Sequence, residues 1–428
     1  MKNIDLFMVY LHYFFISYKS YTMSQYYEKS TWGKMSTVPT DIVYKLTEQF
    51  NNDEHPKKVI LCAGAYRSEI GDPYVLPSVR VAEELIVDDN MNNEYTNLLG
   101  STEYRSLVLD LIFGTNGDSI EHNNVAFAQT IAGTGALRVA AELYKKQGIT
   151  NVYLSNPTWR NHRNIFGGQG FTIGEYRYVK NNKLDLVGMI DDIKNAPENS
   201  LFVYHACAHN PTGIDLTDEE WKIIEIVIRD KGHQVLFDMA YQGFGSGDLD
   251  RDAYAVRYFA KMGNQISVTQ TFSKNMGLYG QRIGSLCVVT SDKAEVSAVE
   301  SQLKVIIRPM YSTPSLHGAR IAIHVMGDES LCAKWKKDLK IMVNRISNMR
   351  KLLKEKLTAL GCKLNVEQIT EQRGMFFMSG MTEVQVKELL DRFHIYIIPS
   401  GRISIVGLTH NNIDYVANAI SIVTANIE

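Results

Sequence analysis

Lys274 closes the run Val268-Thr-Gln-Thr-Phe-Ser-Lys, where small and hydroxylated residues surround one cation. A lysine at a strand end beside Thr271, Ser273 and Asn275 can stand in a cavity and attack a carbonyl as its free amine, which is Schiff-base chemistry. Taken alone, such a lysine is more often a solvated charge. Asp238 ends the apolar run Gln234 to Phe237 and precedes Met-Ala-Tyr-Gln-Gly-Phe. A carboxylate at the carboxyl end of a buried strand is where open α/β sheets place ligand groups, and it is equally where a turn or helix takes a capping Asp. Gly133-Thr134-Gly135 lies where a strand pattern becomes a helix pattern. Free N–H groups there suit a phosphate, and a plain βα turn favours the same residues. Trp159, on a loop after a strand, can lie over a planar ligand or serve as a packing residue. His205 and His209 stand at i, i+4 on a strand and a turn rather than a helix, a spacing that does not suit zinc. Asp248, Asp250 and Asp252 resemble the start of a calcium loop, but Ala253 stands where that loop needs glycine, so they read as surface charge.

These residues need a frame, and the hydrophobic periodicity supplies one. Strand patterns fall at Asn124 to Thr130, Asn151 to Ser155, Ser200 to Ala206, Gln234 to Phe237, Ile266 to Val268 and Ile283 to Val289. Helix patterns alternate with them: Leu137, Ala140, Ala141 and Tyr144 form one apolar stripe, and Trp221, Ile224, Val227 and Ile228 form another behind a Thr217/Glu220 capping box. Such alternation predicts an α/β fold with a mostly parallel sheet covered by helices. Short helices are expected at Asp41 to Phe50 and Pro77 to Ile86. Ile306-Ile307-Arg308-Pro309 leads toward a further helix start, and a long amphipathic helix is expected from Trp335 to Leu360, stopped by Gly361. The tail, with Arg-Gly-Met-Phe-Phe-Met and Ile-Tyr-Ile-Ile-Pro-Ser-Gly-Arg-Ile, reads as a strand-rich, smaller α/β domain. The expected division is residues 1–22 as a disordered extension, 23–72 as a segment joining the small domain, 73–335 as the large domain and 336–428 as the small one.

Composition excludes several function classes. The 428 residues carry a formal charge of −2 with scattered basic residues, so nothing points to nucleic acid or a membrane surface. Five widely spaced cysteines and no glycosylation sequon favour a reducing compartment. The apolar run Leu6 to Ile16 is too short to span a bilayer and lacks a small-residue cleavage site. The first arginine is Arg67, unlike an Arg-rich presequence. These features favour a cytoplasmic protein whose extension precedes a start at Met23.

Several segments occur in a telling order: Gly-Ala-Tyr-Arg at Gly64, Gly-Thr-Gly-Ala-Leu-Arg at Gly133, His-Ala-Cys-Ala-His-Asn-Pro-Thr-Gly ending at Gly213, Asp-Met-Ala-Tyr-Gln-Gly-Phe at Asp238, Ser-Gly-Asp-Leu-Asp, Phe-Ser-Lys-Asn-Met-Gly-Leu-Tyr around Lys274, and Pro-Ser-Gly-Arg-Ile around Arg402. From about Pro39 to the C-terminus the chain resembles the pyridoxal-phosphate-dependent aspartate aminotransferases of fold type I. The resemblance implies a homodimer with shared active sites, acting on small amino acids and 2-oxo acids. It implies that Lys274 holds the cofactor and carries the substrate proton. Asp238 would pair with the ring nitrogen, with His162 behind it. Asn210 and Tyr241 would bond the ring oxygen, Trp159 would cover the ring, and Gly133, Thr134, Thr271, Ser273 and Arg282 would hold the phosphate, joined by Tyr95 of the neighbouring subunit. Arg402 would fork onto the α-carboxylate, and Arg308, donated across the dimer, onto the side-chain carboxylate, with Gly64 and Phe376 lining the pocket. The chain departs from the family at Ala132, where a serine usually meets the phosphate, at Thr271, which keeps the usual hydroxyl, at Ser312-Thr-Pro-Ser315 beside Arg308, and in the loop after Tyr95.

The expected reaction is amino transfer from L-aspartate to 2-oxoglutarate by a ping-pong route. The alternatives are a broader enzyme that also takes aromatic amino acids, a silent scaffold on the same fold, and a nicotinamide oxidoreductase. The last lacks G-x-G-x-x-G with an acid about 20 positions on.

Overall fold

The computed structural model describes residues 31–425. Residues 1–22, expected to be an extension, lie outside the described residues. The chain divides into residues 1–45 and a large compact unit, 46–428. In the first, a turn spans 31–34, and Asp41 accepts from the amides of Val43 and Lys45 at a helix start.

The second unit is built on a seven-stranded sheet. Its strands are β2 (Val125–Ile131), β3 (Asn151–Asn156), β4 (Thr172–Arg177), β7 (Leu201–His205), β8 (Gln234–Met239), β9 (Ser267–Thr271) and β10 (Ile283–Val289), in spatial order β2-β10-β9-β8-β7-β3-β4. All run one way except β10, which pairs antiparallel with both neighbours. β7 and β9 are buried at every residue, as sheets covered on both faces require. Helix Ala132–Lys146 turns Leu137, Ala140, Ala141 and Tyr144 inward, and helix Asp218–Lys231 starts on the expected Thr217/Glu220 capping box.

The single antiparallel strand matters for the site. Six strands present their carboxyl ends at one edge, at Ile131, Asn156, Arg177, His205, Met239 and Thr271. β10 runs back, so its beginning reaches the same edge and brings Arg282 with it. Gly284 makes this possible. A Cβ there would lie 2.5 Å from the Gln270 carbonyl oxygen and 2.8 Å from the Ala132 carbonyl carbon, so only glycine lets β10 lie against the strand-to-helix turn.

The C-terminal part is more helical than the sequence pattern suggests. Its strands β11 (Phe376–Met378), β12 (Ile395–Tyr396) and β13 (Arg402–Ser404) are two or three residues long and sit among helices, the longest being Glu329–Ala359. β12 pairs with an early strand, β1 (Val59–Ile60), and the Ser404 amide donates to the Leu61 carbonyl at 2.8 Å. A small hairpin, β5 (Val179–Lys180) and β6 (Lys183–Leu184), completes the strands. Arg308 lies in the last turn of helix Lys293–Met310, whose apolar stripe of Val296, Leu303, Ile306 and Ile307 the sequence reading did not single out, and the expected helix start follows at His317–Gly327. Asp252 is also not surface charge. It is 7% exposed and accepts from the amides of Gly243, Gly245 and Ser246 at 2.8–2.9 Å, anchoring the loop after Tyr241. Among the described residues no helix is long and apolar enough to cross a membrane.

Candidate active site

A cavity of about 100 Å³ opens at the shared strand edge, lined by Ala132, Gly133, Thr134, Leu137, Trp159, His205, Asn210, Asp238, Ala240, Tyr241, Thr271, Ser273, Lys274 and Arg282. Lys274 follows β9 by three residues, and its Nζ stands 5.4 Å from the centre of the Tyr241 ring. Burial brings its pKa down to about 8, with Asp238 opposing that shift and Arg282 adding to it. A depressed lysine supplies free amine near neutral pH, as a nucleophile for a carbonyl must.

Asp238 sits inside β8 and caps no helix. Burial alone would raise its pKa, yet the hydrogen bond from His162 and the nearby Lys274 cation hold it below the usual range. The direction of the proton chain behind it follows from one fixed donor. The Asn210 amide can only donate, so His205 Nδ1 accepts it at 3.2 Å, which puts the His205 proton on Nε2. That proton points to Thr158 Oγ1 at 3.4 Å. Thr158 donates to His162 Nδ1 at 2.9 Å, and His162 Nε2 therefore donates to Asp238 Oδ2 at 3.1 Å. Thr269 Oγ1 lies 3.4 Å from the other carboxylate oxygen. Burial drives His205 down to about 3, so it is neutral and keeps this tautomer.

The opposite end of the cavity favours an anion. Helix Ala132–Lys146 begins there with no side chain capping it, so its first N–H groups face the space beside Gly133 and Thr134. The Ala132 amide is already engaged by the Arg282 carbonyl at 3.1 Å, and Ala132 adopts φ +53° without a hydroxyl to offer. Thr271 and Ser273 place their hydroxyl oxygens 3.0 Å apart at this end.

Arg402 lies beside the cavity rather than in its lining. Only 7% exposed, it donates through Nη1 to Asn210 Oδ1 at 3.1 Å and through Nη2 to the Cys62 carbonyl at 2.8 Å. Asn210 Nδ2 reaches Tyr241 OH at 3.4 Å, so a chain of polar contacts runs from Arg402 to the ring under Lys274. Phe376 lies 4.0 Å below the Arg402 guanidinium, and a Cβ on Gly64 would come 3.2 Å from its Cζ, so residue 64 must stay small.

The family model for aminotransferase class I and II matches residues 56–420. The chain is 43% identical over 398 residues to the mitochondrial aspartate aminotransferase of Arabidopsis thaliana, covering 92% of each protein. The chain belongs to the class I and II aminotransferase family. Among solved structures it resembles the aspartate aminotransferase from Saccharomyces cerevisiae cytoplasm, with a TM-score of 0.90, 40% identity and 93% and 99% of the two chains covered. It also resembles the aromatic-amino-acid aminotransferase from Burkholderia pseudomallei covalently bound to pyridoxal phosphate, with a TM-score of 0.89, 38% identity and 92% and 100% covered.

In this aminotransferase the structure gathers Gly133, Thr134, Trp159, Asn210, Asp238, Tyr241, Thr271, Ser273, Lys274 and Arg282 around one cavity, with Gly64, Phe376 and Arg402 beside it. Tyr95 and Arg308 are elsewhere. Tyr95 is 84% exposed, and Arg308, hydrogen-bonded to Ser312, lines a second cavity with Thr96 to Thr102, Arg105 and Lys304. Sequence reasoning missed Thr158 and assigned His205 no role. The only signal was three polar side chains, Thr158, His162 and His205, near adjacent strand ends, and no local spacing connects them.

Proposed function

We propose that this protein is an aspartate aminotransferase that moves the amino group of L-aspartate to 2-oxoglutarate with pyridoxal phosphate. The observation that carries the reading is the cavity itself: a lysine with a depressed pKa and an ionised, buried Asp238 line it, and a buried arginine stands beside it. The donor set fits the cofactor. The uncapped helix start with Thr271, Ser273 and Arg282 suits a phosphate, and Asp238 suits a ring cation. Bound there, pyridoxal phosphate supplies a carbonyl for the amino group and a cationic ring that withdraws electrons from the bond being broken.

The chain's own residues do the rest. Lys274 Nζ, as free amine, takes the proton that leaves the amino acid Cα and returns one in the reverse half-reaction. Asp238 stays ionised because His162 Nε2 donates to it. Tyr241 OH and Asn210 Nδ2 offer donors at the ring edge, and Trp159 covers a face. The Arg402 fork takes the α-carboxylate in a bidentate pair. Ala132 leaves the phosphate one hydroxyl short of the family pattern, which weakens cofactor affinity.

The reading extends to the assembly. Tyr95 and Arg308 lie outside the Lys274 cavity, which supports a homodimer in which each subunit supplies them to the other's site. It also keeps a cofactor-holding part, residues 73–335, apart from a smaller part made of 23–72 and 336–428, supported by the β1–β12 pairing. Cytoplasmic residence is proposed from the five widely spaced cysteines, which suit a reducing compartment; similar proteins come from both mitochondria and cytoplasm. The similarity to an aromatic-amino-acid enzyme favours a second reading, a broader specificity.

The test is the absorbance of the purified protein before and after L-aspartate alone. A bound chromophore that converts to the amine form, and fails to do so in Lys274→Ala, is the expected result. Conversion only by L-phenylalanine would replace the substrate, and no binding of pyridoxal phosphate in excess would remove the enzyme reading.

A further inference from the structure

Helix Glu329–Ala359 turns an arginine inward among apolar neighbours. Arg350 is 4% exposed on the face that carries Met342, Ile346, Met349 and Leu353. Its Nη1 donates to the Ile369 carbonyl at 2.8 Å, and its Nη2 reaches the carbonyls of Gly374 at 2.9 Å, Arg373 at 3.4 Å and Phe376. Burial, with no carboxylate paired to it among the described residues, brings its pKa down to about 9. A buried cation is costly, and here its two terminal nitrogens are spent on the carbonyls of one short segment, residues 369–376.

That segment, which runs from the short helix Gln368–Glu371 to the first residue of β11, touches the site on two sides. One side is pressed onto the Asn210 turn. The Arg373 amide donates to the Gly213 carbonyl at 2.6 Å, a Cβ on Gly213 would lie 2.7 Å from the Arg373 carbonyl oxygen, and a Cβ on Gly374 would lie 2.6 Å from Ala208 Cβ. The other side ends at Phe376, whose ring lies 4.0 Å from the Arg402 guanidinium and stands edge-on to Tyr241 at 6.1 Å.

We infer that Arg350 is a positioning residue for substrate recognition: by gathering the carbonyls of residues 369–376 it fixes the Phe376 ring, which sets the plane of the Arg402 guanidinium. This rests on the reading of Arg402 as the carboxylate anchor. Bidentate recognition depends on the plane of the fork, because a tilted guanidinium keeps its charge and loses one of two parallel hydrogen bonds. Arg350 therefore acts on carboxylate affinity more than on the proton transfer at Lys274.

The test compares wild-type holoenzyme with Arg350→Met, Arg350→Lys and Gly374→Ala. Steady-state KM and kcat are measured for L-aspartate, together with the affinity for succinate as a non-reacting dicarboxylate and the melting temperature. In Arg350→Met the KM is expected to rise about tenfold, the loss of one charged hydrogen bond, while kcat changes less than about threefold. Arg350→Lys, which keeps the charge and some donors, falls between Met and wild type. Gly374→Ala, which displaces the same segment from the Ala208 side, raises KM in the same direction and serves should Arg350→Met not fold. Folded variants with a lower melting temperature and unchanged KM and succinate affinity overturn the inference, as does a fall in kcat alone. Wild-type holoenzyme that binds neither dicarboxylate overturns the anchor reading and this role with it, and that failure is visible before any variant is compared.

Discussion

The charge on Asp238 is set by a neighbour rather than by Asp238 itself. Burial opposes its ionisation, and the His162 donor is the largest influence against burial. In His162→Leu that donor is gone, the carboxylate binds its proton more tightly, and the ionised fraction falls from the acid side first. The acid limb of the kcat/KM profile should therefore move to higher pH, with roughly a tenfold loss at neutral pH. An unmoved limb would separate His162 from Asp238. Thr158→Val should act in the same direction and more weakly, because His162 then loses the donor that fixes its tautomer. Lys274 gives a second pH prediction. In cofactor-free protein, modification of its amine by an acylating reagent should titrate near pH 8, whereas ordinary lysines titrate near about 10.4. Asp238 favours the ammonium form, so Asp238→Asn should move that midpoint lower still. A midpoint in the ordinary lysine range would show that the cavity does not desolvate Lys274.

The elements that hold these side chains depend on a few close backbone approaches. Gly284 is the tightest of those beside the site, since its missing Cβ would strike backbone atoms of both Gln270 and Ala132. Gly284→Ala must push β10 away from the strand-to-helix turn, and should destabilise the fold by about 3 kcal/mol, read as a lower denaturant midpoint with an unchanged slope. Much of this frame was legible in the sequence. Strand β10 and the capping box at Thr217 coincide with their periodic signals, and the sheet follows from strand–helix alternation. Residues already at strand ends, Asp238, Lys274 and Asn210, were legible for the same reason: a strand end is a local feature. Other parts could not be read locally. Nothing in Asp248-Leu-Asp-Arg-Asp252 tells which carboxylate will be buried, because Asp252 is chosen by three amides of a loop that folds back on it. The His205–Thr158–His162 chain needs the β3–β7 neighbour relation, which spans a long stretch of sequence. Arg350 reads as a helix surface residue until its distant carbonyl partners are known.

At the scale of the whole molecule, the residues expected to recognise a dicarboxylate fall at two places on one chain. Arg402 stands beside the Lys274 cavity, while Arg308 and the segment after Tyr95 line another, of about 670 Å³. In the proposed homodimer a second copy brings its Arg308 to the first copy's Lys274. In a twofold dimer the exchange is reciprocal: each site takes Lys274 from one subunit and Arg308 from the other. This arrangement has a consequence that a site contained in one chain cannot share. Lys274→Ala and Arg308→Ala homodimers should each be nearly inactive toward L-aspartate. After subunit exchange in an equal mixture, half of the dimers are mixed, and each mixed dimer has one site with both defects and one with neither. Activity should therefore recover to about a quarter of wild type, with the wild-type KM at the restored site. If the mixture stays as inactive as its components while exchange is confirmed by mass, Arg308 serves its own chain, and the second cavity must close onto Lys274 within one subunit.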